Sequence, residues 1–197
     1  MRKYNYRVLL IEDDKIDQMA FTRMVARENL QYDYQIASSI TDAKRILSDL
    51  SFDIIITDFS LSDGTAMDIF SLKPSCPVIV TTGTGNEEIA VKAMKAGAYD
   101  YLIKGVGWNY LKTLPMVVEN AINHKRAIAA LNKAEAEKEK LIQELKEALA
   151  NIKTLTGLIP ICAWCKKVRN DQGYWEKVES YIARNSQAEF THAVCPD

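Results

Sequence analysis

The sequence predicts an α/β protein built on a doubly wound parallel sheet, followed by a long helix and a small cysteine-rich module. Three observations carry this. Over roughly the first 125 residues, short branched apolar runs alternate with stretches of helical spacing. Residues 116–156 contain neither Gly nor Pro and are rich in Ala, Glu, Lys and Leu. Gly, Pro, Cys and aromatic residues then return in 157–197.

The elements follow in order. Residues 6–12 (YRVLLIE) are an apolar, branched run, the mark of a strand buried on both faces. Residues 15–29 place Ile16, Ala20, Met24 and Val25 on one helical face. A short strand is expected near 34–37 and a helix over 41–50, capped by Ser39 or Thr41. FDIIIT at 52–57 is a buried strand that ends at Asp58. Asp63-Gly64 marks a turn, with a helix after it to about residue 72. PVIVTT at 77–82 is the next buried strand. A helix over 87–96 stops at Gly97, and residues 98–103 form the last strand. A long helix is expected to begin around 113–115, where Pro115 is tolerated in a first turn. Five alternating strands and helices imply a parallel sheet covered on both faces. At this size the flavodoxin-like order 2-1-3-4-5 is the common one.

Composition bounds the function. Of 197 residues, 48% are apolar and 26% charged, and the net charge is −1. No strong field draws nucleic acid or an anionic membrane, which argues against DNA binding. The sequence reads as soluble and cytoplasmic: it shows no secretory signal pattern and no apolar run near the about 18 residues a membrane span needs.

In an open α/β sheet the ligand site lies at the carboxyl ends of the strands. Here the first strand ends in Glu12-Asp13-Asp14, the third at Asp58, the fourth in Thr81-Thr82-Gly83 and the fifth at Lys104. Converging carboxylates repel, and a divalent cation resolves this. Hard oxygen donors suit Mg²⁺. A carboxylate nucleophile beside a metal and a fixed Lys is suited to phosphoryl transfer through an aspartyl-phosphate.

These residues resemble the receiver domain of bacterial two-component response regulators over residues 6 to about 124. The matching pieces are VLLIEDD (8–14), DIIITDFSLSDG (53–64), PVIVTTGTG (77–85) and AMKAGAYDYLIKG (93–105). The resemblance implies that Asp58 is the phospho-acceptor, supplied by a sensor histidine kinase or phosphotransfer protein. It implies that Asp13, Asp58 and the Ser60 main-chain carbonyl bind Mg²⁺ and that Glu12 holds a metal-bound water. Thr82 and Lys104 would contact the phosphoryl group, and Tyr101 would turn inward with Thr82 as the switch. Asp14 is read as a loop or helix-cap residue. The sequence departs from the family at Gly105 and Ser62, where receivers usually carry Pro. The chemistry beyond self-phosphorylation and slow self-dephosphorylation is not that of an enzyme. The alternative is an unphosphorylated scaffold or dimerisation module that uses the coiled coil and the Cys-rich tail.

The domain reading is a receiver over 1–125, a coiled-coil signalling helix over 126–156 and a Cys/His module over 157–197. From about 115 to 156 one helix would run on the order of 60 Å. Leu131, Ala134, Lys138, Leu141, Leu145, Ala148, Ile152 and Leu155 repeat with 3,4 spacing, the pattern of a left-handed coiled coil, interrupted at Lys138. A homodimer through 126–156 is expected, against a solvated single helix or one packed back on its own receiver. In the tail, Cys162-x-x-Cys165 and His192-x-x-Cys195 fit a tetrahedral Zn²⁺ site, with a turn at 170–173 and a helix near 175–185 between the pairs. A redox pair and free thiols are the competing readings. The tail resembles a small uncharacterised module of some bacterial signalling proteins, in which the segment runs Cys-Pro-x-Cys. Here Cys195-Pro196-Asp197 supplies the first three positions of that pattern.

Overall fold

The computed structural model describes residues 5–83, 87–105, 107–150, 158–191 and 193–194. The chain divides into two compact units, residues 1–131 and 132–197. The first holds five parallel strands: β1 (Tyr6–Ile11), β2 (Tyr32–Ala37), β3 (Ile54–Asp58), β4 (Val78–Thr82) and β5 (Asp100–Ile103). Their spatial order is β2-β1-β3-β4-β5, the order expected from the sequence. The helices are α1 (Lys15–Arg27), α2 (Ile40–Asp49), α3 (Ala66–Phe70), α4 (Glu87–Lys95) and α5 (Tyr110–Ala150). Ser60–Leu61 and Gly64–Thr65 form a small antiparallel ribbon after β3.

The period-2 alternation of the central strands sorts their side chains into two layers. Val8, Leu10, Ile54, Ile56 and Ile79 face Phe21, Met24 and Val25 of α1 and the start of α5. Leu9, Ile11, Ile55, Val78 and Val80 face α2, α3 and Ala93 of α4. Both faces being covered, the strands read as unbroken apolar runs rather than alternating ones.

Local chemistry sets the ends of these elements. Asp14 caps α1, its carboxylate accepting from the Ile16 N–H at 2.6 Å. The helix stops at Arg27 rather than 29, because Asn29 takes a left-handed φ of 49°. Ser39, not Thr41, is the side-chain cap of α2, accepting from the Asp42 N–H. Asp63 adds a second cap there, accepting from the Ile40 and Thr41 N–H groups at 2.8 and 2.9 Å. Gly64 lies at the adjoining turn, where a Cβ would fall 2.8 Å from the Asp68 carboxylate and force it to shift. Helix α3 ends at Phe70, short of 72.

Helix α5 begins at Tyr110, earlier than expected, so Pro115 lies inside it. The reason is packing. Tyr110, Leu111, Leu114, Val117, Val118, Ala121 and Ile122 form one buried stripe. Burying its first turn outweighs the one backbone hydrogen bond that Pro115 withholds. Beyond Ile122 the described side chains of the helix are exposed.

In the second unit, Val168–Arg169 pairs antiparallel with Trp175–Glu176, and a helix α6 spans Val178–Asn185. The turn at Asn170–Gly173 is present, with the Asn170 carboxamide oxygen accepting from Gln172 and Tyr174 N–H. The helix starts at Val178 rather than 175 because Trp175 and Glu176 belong to the hairpin.

Candidate functional site

The carboxyl ends of β1, β3, β4 and β5 bring the acidic and basic residues together. Glu12 follows β1 and is buried, at 2% exposure. Asp13 is half-buried, and its Oδ2 accepts from the Ser62 N–H at 2.9 Å, tying it to the loop after β3. Asp58 closes β3 and is half-buried. Oxygen atoms of Glu12, Asp13 and Asp58 lie within 4.8 Å of one another. Lys104 follows β5, where its N–H donates to the Thr82 carbonyl at 2.7 Å and so places it beside β4.

The Lys104 ammonium donates to Asp58 Oδ2 at 2.7 Å, Glu12 Oε2 at 2.6 Å and Asp17 Oδ2 at 2.9 Å. Burial alone would lower the pKa of Lys104, but its three carboxylate partners outweigh that and raise it, so the cation is held. Glu12 moves the other way. Burial pushes its carboxyl up to about 7 against the pull of Lys104. Thr82 is buried at the end of β4 and shares a side-chain hydrogen bond with the Tyr101 hydroxyl. Tyr101 is half-buried and packs against the layer that contains Leu9 and Ile55. Ser60 is exposed in the ribbon two residues past Asp58.

The structure thus brings together Glu12, Asp13, Asp58 and Lys104, and puts Thr82 and Tyr101 in contact. Two residues of the site were not singled out from the sequence. Asp17 contacts Lys104, and its second oxygen accepts from the Trp108 indole N–H at 2.8 Å. The signal for Asp17 in the sequence was an acid in the first turn of the helix that follows the acidic cluster.

The family model for the response regulator receiver domain matches residues 8–114. The chain belongs to the response regulator receiver family. It is 29% identical over 126 residues to the transcriptional regulatory protein ZraR of Salmonella typhimurium, covering 62% of this chain and 28% of that protein. It is 31% identical over 109 residues to the response regulator protein PilR of Pseudomonas aeruginosa, covering 53% and 24%. The chain therefore spans about a quarter of the length of these curated relatives. A crystal structure of a response regulator receiver domain protein from Clostridium thermocellum superposes with a TM-score of 0.54 at 30% identity, over 62% of this chain and 98% of that one. Receivers are regulators of two-component signal transduction whose own chemistry is limited to self-phosphorylation. They bind Mg²⁺ at an acidic site. The three clustered carboxylates of this receiver are a hard, anionic donor set that suits that ion.

The second unit carries the cysteine knuckle. The Cys162 N–H donates to the Lys167 carbonyl at 2.8 Å, and the Lys166 N–H to the Cys162 carbonyl at 3.0 Å. Lys166 adopts a left-handed φ of 60°, and the Cys165 N–H donates to Cys162 Sγ at 3.5 Å. N–H groups from Cys165, Trp164 and Lys166 hold the Cys162 thiol below its usual pKa. His192 and Cys195, the other two expected ligands, lie outside the described residues. So do Ile152 and Leu155 of the expected coiled-coil seam. Among the described residues, no helix is long and apolar enough to cross a membrane.

Proposed function

We propose that this receiver accepts a phosphoryl group on Asp58 from a sensor histidine kinase or phosphotransfer protein and changes conformation in response. The observation that carries the reading is the Lys104 ammonium 2.7 Å from Asp58, beside three carboxylates that share one crevice. The free Asp58 oxygen attacks phosphorus, and the new P–O bond forms as the bond from phosphorus to the donor nitrogen breaks. The electron pair of that bond stays on the donor imidazole. Lys104 then holds a phosphoryl oxygen, and the Thr82 hydroxyl donates to another. Asp13, Asp58 and the Ser60 carbonyl would hold Mg²⁺, with Glu12 on a metal-bound water. The bound ion supplies neutralising charge on the transferring group. The Thr82–Tyr101 contact supports a switch in which the ring follows the hydroxyl.

Mass measurement after acetyl phosphate and Mg²⁺ tests this. The native chain gains one phosphoryl group and Asp58→Ala gains none. An unlabelled native chain, or an equally labelled variant, rejects the assignment.

Two readings concern the rest of the chain. Leu131, Leu141 and Leu145 lie 58–60% exposed along α5, which favours homodimerisation through 126–156 over a solvated single helix. The knuckle at Cys162 and Cys165 favours a Zn²⁺ site completed by His192 and Cys195. Metal analysis of the purified chain would find one zinc per chain, lost in Cys162→Ser. The word "DNA-binding" in the name of the relative NtrC of Azospirillum brasilense describes that protein. With a net charge of −1, this chain presents no strong field to draw DNA.

A further inference from the structure

Lys104 gives its three N–H bonds to three different carboxylates. Glu12 and Asp58 belong to the acidic cluster, but Asp17 does not. It stands in the first turn of α1, and its two oxygens do separate jobs. One accepts from Lys104 at 2.9 Å and the other from the Trp108 indole at 2.8 Å. One carboxylate therefore clamps two points, four residues apart, on the segment that joins β5 to α5.

The backbone shows why such a clamp is needed. Gly105 has no side chain, and a Cβ there would meet nothing within 4 Å, so no side chain anchors the segment at that point; its carbonyl accepts from the Trp108 N–H at 3.2 Å. Trp108 sits at a φ of 53°, a left-handed conformation that bulky residues rarely adopt, directly after Gly107 at 80°. Its carbonyl accepts from the Leu111 N–H at 3.0 Å, in the first turn of α5. The Trp108 conformation is thus pinned by Asp17, by the helix and by the Gly105 carbonyl. Burial would raise the pKa of Asp17. The hydrogen bonds from Lys104 and Trp108, with the Lys104 charge, outweigh it and keep Asp17 an anion.

We propose that Asp17 is a positioning residue for Lys104, and that the Asp17–Trp108 bond passes changes at the phosphoryl site to the segment entering α5. The proposal rests on Asp58 being the acceptor. A phosphoryl group on Asp58 must draw one Lys104 N–H bond onto itself. As the ammonium follows it, its Asp17 contact stretches or Asp17 is pulled along, and either change alters the indole's partner.

The test uses the full chain with Trp164→Phe and Trp175→Phe, which leaves Trp108 as the sole tryptophan. It is treated with acetyl phosphate and Mg²⁺, and phosphorylated fraction and Trp emission are followed together. Labelling should shift the Trp108 emission. Asp17→Asn should label about tenfold more slowly, the scale expected for a misplaced charged group. It should also lose the emission change per phosphorylated molecule, which a merely structural role for Asp17 would leave in place. Trp108→Phe keeps an aromatic ring but loses the indole N–H together with part of the ring system, and should slow labelling by several-fold. Native-rate labelling of Asp17→Asn, or an emission change that survives in it, overturns the proposal. Failure of the acceptor reading looks different, because the parent chain then gains no phosphoryl mass at all.

Discussion

At the residue scale, Glu12 is the side chain whose state depends most on what fills the site. It is buried, and its carboxyl titrates near 7 instead of the ordinary 4.5. An acid whose pKa is higher in the folded state favours folding when protonated. Its contribution is full below 4.5 and is lost as pH rises toward 7. For metal-free protein, the urea midpoint should fall across that window, by up to about 3 kcal/mol of stability. Glu12→Gln should flatten the slope. A native slope that stays flat would show that Lys104 compensates the charge fully. Glu12, Asp13, Asp58, Thr82 and Lys104 were legible in the sequence because each ends an apolar run, and parallel strands deliver such ends to one edge. Asp17 and Trp108 were not. Their meeting depends on a left-handed turn at Gly107 and Trp108, which no periodicity announces.

At the element scale, α5 is two helices in one in its chemistry. Its first part is a buried stripe and its second an exposed seam. Leu114 is 1% exposed and Leu141 is 58% exposed. Leu114→Ala should cost about 3 kcal/mol of unfolding free energy, because it opens a cavity between the helix and the sheet. Leu141→Ala should change the stability of the monomer by less than about 0.5 kcal/mol. Its effect belongs in sedimentation, as a weaker dimer. The helical spacing is legible in the sequence, but the start of the helix is not. Pro115 suggested a first turn, whereas Tyr110 and Leu111 are drawn into the helix by the apolar layer they cover. Only the tertiary partner of the stripe fixes that boundary.

At the scale of the whole molecule, the sheet order followed from alternation and right-handed crossovers, with no need of side-chain detail. The second unit was less legible. It has few buried side chains, of which Val168 is one, so hydrophobic patterning says little there. The receiver unit depends on α5 for one of its two layers. Seven buried residues, Tyr110 to Ile122, come from that helix. At about 2 kcal/mol each, their burial is comparable to the 5–15 kcal/mol that holds a domain together. A chain ending at His124 should unfold cooperatively. One ending at Trp108 should bind a hydrophobic dye and melt without a sharp transition.

The stripe on α5 also bears on the order in which the chain is made. Synthesis runs from the amino terminus, and β1 has both its neighbours once β3 is finished. The opposite layer can close as soon as α4 emerges, whereas Val8, Leu10, Ile54, Ile56 and Ile79 must wait for residue 122. Until then the nascent chain carries a greasy face half covered by α1. That interval, rather than any weakness of the finished domain, is when the growing polypeptide is most exposed to aggregation and most in need of a chaperone.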